Sequence, residues 1–215
     1  QDIIDFIASF EIPTIIVLGN LDSAGRWSRV YKKIANKYPF IVNGTLIRQI
    51  VADDIEFWTL PGYHDKRFVH QNSGCLYDKD DVHLLRYSVE PAGLSPIALI
   101  AHGPPKGRGR YAPDRLFDGN NVGDDNMTKL LQKKAISFGI FGHILEAGGY
   151  GVGANLKTKI KQNKLSRHLY LNVGAISSDP WTLNNGKTSY GMAVIVEVKD
   201  KKAQYRVKNF KPDYD

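Results

Sequence analysis

One cysteine, Cys75, occurs in 215 residues. No disulfide can close within the chain, and the expectation that follows is a reducing, cytoplasmic setting. Long apolar runs are also missing: none approaches the roughly 18 residues that a membrane span requires. No charged-then-apolar leader opens the chain, so neither a membrane nor an export signal is expected. Internal repeats, low-complexity tracts and linker-like stretches are absent too. With 42% of its residues hydrophobic, the chain is long enough for one filled core, and the default count is a single domain over residues 1–215. Positive charge prevails, with 29 Lys and Arg against 22 Asp and Glu for a formal net charge of +7. That favours anionic ligands. Because the basic residues are scattered rather than massed, nucleic acid is the lesser reading.

What the chain does have is one pattern three times over. Thr14-Ile15-Ile16-Val17-Leu18 runs into Gly19-Asn20-Leu21-Asp22, Pro96 to Ala101 runs into His102-Gly103, and Phe138 to Phe141 runs into Gly142-His143-Ile144-Leu145-Glu146. Each is an apolar run of strand type, stopped by glycine beside a side chain that can bind a metal. Loops at strand ends are where open α/β sheets build their sites. An amide oxygen and two imidazoles suit a borderline cation such as Mn, Fe, Zn or Ni. Three neutral donors bind weakly by themselves, and a pair of cations needs carboxylates. Plainer readings exist: Asn20 as a turn residue after glycine, His102 and His143 as buried histidines bonded to backbone.

Around these stretches the periodicity predicts a helix over residues 1–10, closed by Pro13, and a second from Ser23 to about Lys37 with Trp27, Val30, Tyr31 and Ile34 on its apolar stripe. Phe40 to Val42, Leu46 to Val51 and Ile55 to Leu60 read as short antiparallel strands, the first two joined by an Asn43-Gly44 turn. A strand over Val82 to Val89 and a turn at Pro91-Ala92-Gly93 follow. Next come an irregular Gly/Pro loop over 103–110, a helix from Asp124 or Asp125, a connection over 147–165, a strand from Leu169 to Val173, and a hairpin from Tyr190 to Val207 turning at Lys199-Asp200-Lys201-Lys202.

These residues carry a resemblance. Gly19-Asn20-Leu21-Asp22, His102-Gly103-Pro104-Pro105 and Gly142-His143-Ile144-Leu145, in that order, are similar to motifs of the calcineurin-like metallophosphoesterase family. Asn121-Val122-Gly123 and Leu171-Asn172-Val173-Gly174 add to the match. The resemblance implies an α/β sandwich of two mixed β-sheets flanked by helices, and hydrolysis of a phosphomonoester or phosphodiester, a nucleotide among the candidates, by a hydroxide activated between two divalent metal ions. It makes Asn20, His102 and His143 metal ligands. Three departures stand out. The family's opening Asp-x-His and Gly-Asp strand ends do not occur here, and the expectation is that the first strands lie upstream of Gln1. Leu145 replaces a ligand histidine, leaving Glu146 as a candidate substitute. Leu21 replaces the histidine that protonates the leaving group, beside Asp22, which is retained as a catalytic candidate with a structural role as the alternative. His64, in Tyr63-His64-Asp65, is a candidate replacement acid, with an exposed polar turn as the competing reading. Lys106 and Arg108, near His102, are candidates for phosphate binding, or members of a solvated loop. The contrasting expectation is a degenerate phosphoesterase fold that only binds.

Overall fold

In the computed structural model, residues 2–70, 73–89, 95–133, 135–176 and 179–211 are described. In chain order the elements are α1 (Asp2–Ala8), β1 (Thr14–Ile16), α2 (Ala24–Ile34), β2 (Ile41–Asn43), β3 (Gln49–Ala52), β4 (Ile55–Leu60), α3 (Lys79–Ser88), β5 (Ile97–Ala101) and α4 (Asp125–Gln132). There follow β6 (Phe138–Phe141), β7 (Tyr150–Val152), β8 (Lys159–Ile160), β9 (Leu169–Asn172), β10 (Trp181–Thr182), β11 (Thr188–Ser189), β12 (Met192–Lys199) and β13 (Lys202–Asn209).

Seven strands make one mixed sheet in the order β3-β4-β5-β6-β9-β7-β8. Its centre, β4, β5, β6 and β9, is parallel, and β3 and β7 close it antiparallel on either side. Side chains alternate between the faces of each strand. On β5, Ile97 and Leu99 join the cluster under α3 and α4, made with Val82, Leu85, Met127 and Leu131. Ala98 faces the other way, toward Phe138, Leu171 and the β12–β13 hairpin. Tyr205 fastens that hairpin to the sheet: its hydroxyl accepts from the Gly151 amide and donates to the Ile160 carbonyl. The parallel β1–β2 pair forms a smaller layer with α1 and α2, around Leu18, Trp27 and Ile34. Ile15 and Val17 share a cleft with Ile100 and Ile140, so this layer lies on the hairpin side of the large sheet. The fold is therefore the expected α/β arrangement of a large mixed sheet with helices and opposing strands.

Several elements differ from the sequence reading. The stretch expected as a strand over Val82 to Val89 is helical as far as Ser88, and Val89 is its C-cap. Asp78 and Asp81 form a reciprocal capping box at the start of that helix, and Val82, Leu85 and Val89 recur at the i, i+3, i+7 spacing of one helical face. The turn expected at Pro91-Ala92-Gly93 lies outside the described residues. β2 pairs with β1 in parallel, because α2 carries the chain back to the same end of the pair. Residues 147–165 are more than a connection, since β7 and β8 extend the sheet there. A side chain at Gly151 would press on Leu169 and Tyr205, at 2.7 and 3.0 Å, and it is this missing Cβ that lets β7 pack under the hairpin. At the hairpin turn, Asp200 and Lys201 have φ of 51° and 57°, the left-handed pair that matches the twist of two-residue turns.

Candidate metal centre

Asn20, His102 and His143 come from the ends of three different strands and meet. The His102 Nε2 atom is 2.8 Å from Asn20 Oδ1 and 3.0 Å from His143 Nδ1. Asn20 is buried, and its amide nitrogen donates to the Phe68 carbonyl, which turns its oxygen toward His102. Gly19 makes the approach possible, because a Cβ there would lie 2.7 Å from the His102 ring. The three side chains share a cleft of about 620 Å³ between the β1 layer and the large sheet.

His143 sits in a strained turn. Its φ is 66°, and the Ile144 amide donates to the Gly142 carbonyl across it at 2.8 Å. A three-residue turn with positive φ at its centre is a rare, strained form. Such strain persists only where neighbours over-determine it. Asn172, fully buried, supplies the restraint: Nδ2 donates to the carbonyls of Ile144 and Pro113 at 2.9 and 2.8 Å, and Oδ1 accepts from the Gly174 amide. From the other side the Tyr63 ring lies on the His143 ring with centroids 4.0 Å apart, held by a hydroxyl donated to the Val122 carbonyl. Burial holds the His143 imidazolium down to a pKa of about 4, assisted by His102 and His64. For His102 burial lowers the pKa too, opposed by the Asp22 carboxylate. Both shifts favour the neutral ring, the form that ligates metals.

Other predicted residues take different places. Asp22 lines the cleft, where its carboxylate accepts from the Gly19 amide at 2.7 Å and closes the turn that presents Asn20. Leu145 also lines the cleft. Glu146 points elsewhere: it accepts from the Phe117 amide and borders a separate hollow with Trp181. His64 lies against Tyr63, with centroids 4.4 Å apart, and its buried Nδ1 has no hydrogen-bond partner among the described residues. Lys106 pairs with Asp125 at 3.2 Å on the surface, and Arg108 is exposed; neither lines the cleft.

Three supporting residues escaped the sequence reading as parts of the site: Tyr63, Asn172 and Asp114. Asp114 is fully buried and accepts from the amides of Gly107 and Gly123 and from Asn121 Nδ2, which folds the Gly/Pro loop after His102 back on itself. Burial raises its pKa against those three hydrogen bonds. A signal for Asn172 was available, a polar residue ending an apolar strand before glycine; Tyr63 and Asp114 carry none.

The donors fit a first-row divalent cation in type, two imidazole nitrogens and an amide oxygen. Their spacing fits as well, since ligand atoms about 2.1 Å from one ion and roughly at right angles lie about 3 Å apart. Among the described residues no group of three or more His, Cys, Asp and Glu side chains gathers to hold a metal, and the three donors that do meet are all neutral.

A mixed sheet whose strand ends converge three neutral donors defines an α/β protein with a candidate metal centre. This chain belongs to the calcineurin-like phosphoesterase family, whose sequence profile matches residues 1–147, the part containing all three donors. One solved crystal structure aligns with 78% of this chain at TM-score 0.58 and 18% identity. The crystal structure of TT1561 of Thermus thermophilus aligns with 92% of this chain at TM-score 0.56 and 12% identity, over 72% of its own length. At such identities both similarities speak to the fold. The chain spans 60% of the length of the first of these structures. None of the curated proteins compared is a match.

Proposed function

We propose that this protein hydrolyses a small phosphomonoester or phosphodiester, a nucleotide among the candidates, at the cleft formed by Asn20, His102 and His143. The observation that carries the reading is that His102 Nε2 lies within 3.0 Å of both Asn20 Oδ1 and His143 Nδ1, the three coming from the ends of separate strands, in a family whose members are typically phosphoesterases and generally bind two divalent metals. A bound divalent cation would supply Lewis-acid polarisation of phosphoryl oxygens and a hydroxide at neutral pH. Asn20 Oδ1, His102 Nε2 and His143 Nδ1 would hold it. Asn172 and Tyr63 keep His143 in place, and Asp22 holds the Asn20 turn.

A second reading, a fold that binds without catalysis, draws on Leu145 standing in the cleft wall where the family has a ligand.

The full chain, loaded with Mn, is expected to hydrolyse a generic aryl phosphate and to retain metal by elemental analysis. His102→Ala and His143→Ala are each expected to lose both properties. Undiminished activity in those variants would overturn the site. Failure to retain any transition metal after supplementation would favour the binding-only reading.

A further inference from the structure

The cleft is poor in acids. Among its described lining residues, the only side chains with a nitrogen or oxygen are Asn20, Asp22, His102 and His143. The Asn20 amide is committed to the Phe68 carbonyl, and the Asp22 carboxylate accepts from the Gly19 amide. The two imidazoles point their nitrogens at each other and at Asn20, the arrangement of ligands and not of proton donors. Leu21, 69% exposed, occupies the turn between Asn20 and Asp22, and Leu145 lines the same cleft. Neither His64, which lies on Tyr63, nor Lys106, which pairs with Asp125, lines the cleft.

Resting on the hydrolytic reading above, we propose that the leaving group departs from this site without being protonated, so that the substrates are phosphoanhydrides, such as nucleoside diphosphates, and esters of acidic alcohols. In that reaction the oxygen of water bonds to phosphorus, and its proton passes to solvent. The bond from phosphorus to the bridging oxygen breaks, and its electron pair stays on that oxygen, which leaves as an anion. A phosphate leaving group has a conjugate acid with pKa near 6, and a phenolate one near 10. An alkoxide is about as basic as hydroxide, far more basic than either. Only the last needs a proton in the transition state, and a positioned general acid contributes about 10²–10⁴-fold. The site therefore discriminates by leaving-group basicity: the same phosphoryl group is transferred to water from an acidic oxygen and retained on an alkyl one.

The test is a leaving-group series with the metal-loaded full chain: substituted aryl phosphates of graded pKa, ADP and glycerol phosphate. The expected result is a kcat/KM that falls continuously with leaving-group pKa and leaves glycerol phosphate at least about 10²-fold below ADP. Leu21→His, at an exposed position that tolerates a polar ring, is expected to raise alkyl ester turnover by about 10-fold or more while nitrophenyl phosphate changes little. A flat series in the wild-type chain, with glycerol phosphate and nitrophenyl phosphate turned over alike, would overturn this proposal and leave the hydrolytic reading standing. No turnover of any member would overturn both. Because the wild-type series decides between these outcomes, the test survives a Leu21 variant that does not fold.

Discussion

At the scale of single residues, the centre depends on side chains that hold other side chains. His143 adopts its left-handed backbone at a cost of about 1–2 kcal/mol for a residue with a Cβ. His143→Gly and His143→Ala both remove the imidazole, yet the glycine variant is expected to be the more stable of the two by about 1 kcal/mol, read from urea unfolding of the metal-free proteins. Equal stability would show that the turn is unstrained. Tyr63 offers a pH-based check. Burial raises its phenol to a pKa of about 12, above the ordinary value near 10. A raised acid favours the folded state fully below the unfolded pKa, and the contribution is lost as pH climbs through the folded one. Stability should thus decline between about pH 10 and 12, and Tyr63→Phe should decline less steeply over that window, measured as the difference in urea midpoints. The residues that would ligate were legible because glycine next to Asn or His at the end of an apolar run is a local signal. Tyr63, Asp114 and Asn172 act on residues distant in sequence, through contacts that no local pattern encodes.

At the scale of elements, the strands bearing the donors were readable, and the errors arose where short range was ambiguous. Val82 to Val89 has enough β-branched and aromatic character to pass for a strand, and the capping box at Asp78 decides otherwise. The β12–β13 hairpin was legible down to its turn, since all eight of its pairs are between near neighbours in sequence. Its attachment to the large sheet was not. Tyr205, with a hydroxyl shared between Gly151 and Ile160, reaches β7 and β8 across more than forty residues. Tyr205→Phe leaves a buried amide and a carbonyl unpaired and is expected to cost about 1–3 kcal/mol, measured by chemical denaturation. A loss below about 0.5 kcal/mol would mean that water or a shifted loop replaces those bonds.

At the scale of the whole molecule, charge is dispersed. The surface ion pairs Lys37–Asp5, Arg67–Asp65, Lys106–Asp125 and Arg206–Glu197 lie apart from one another, and pairs of this kind contribute about 0–1 kcal/mol each and are screened by salt. Unfolding free energy is accordingly expected to change by less than about 2 kcal/mol between 0.05 and 0.5 M NaCl; a larger change would reveal a charge network that these pairs do not form. Composition alone determined that the chain has a core, no intrachain disulfide and no apolar run of membrane-spanning length, and the local patterns determined which residues were donor candidates, because chain neighbours suffice for both. The tertiary structure decided that Asn20, His102 and His143 converge, that Glu146 turns to Phe117, and that Leu21 and Leu145 form the wall of the cleft. Those outcomes depend on how β1, β5 and β6 are stacked. Stacking is settled by burying apolar faces drawn from the entire chain, and no short window of residues contains that information.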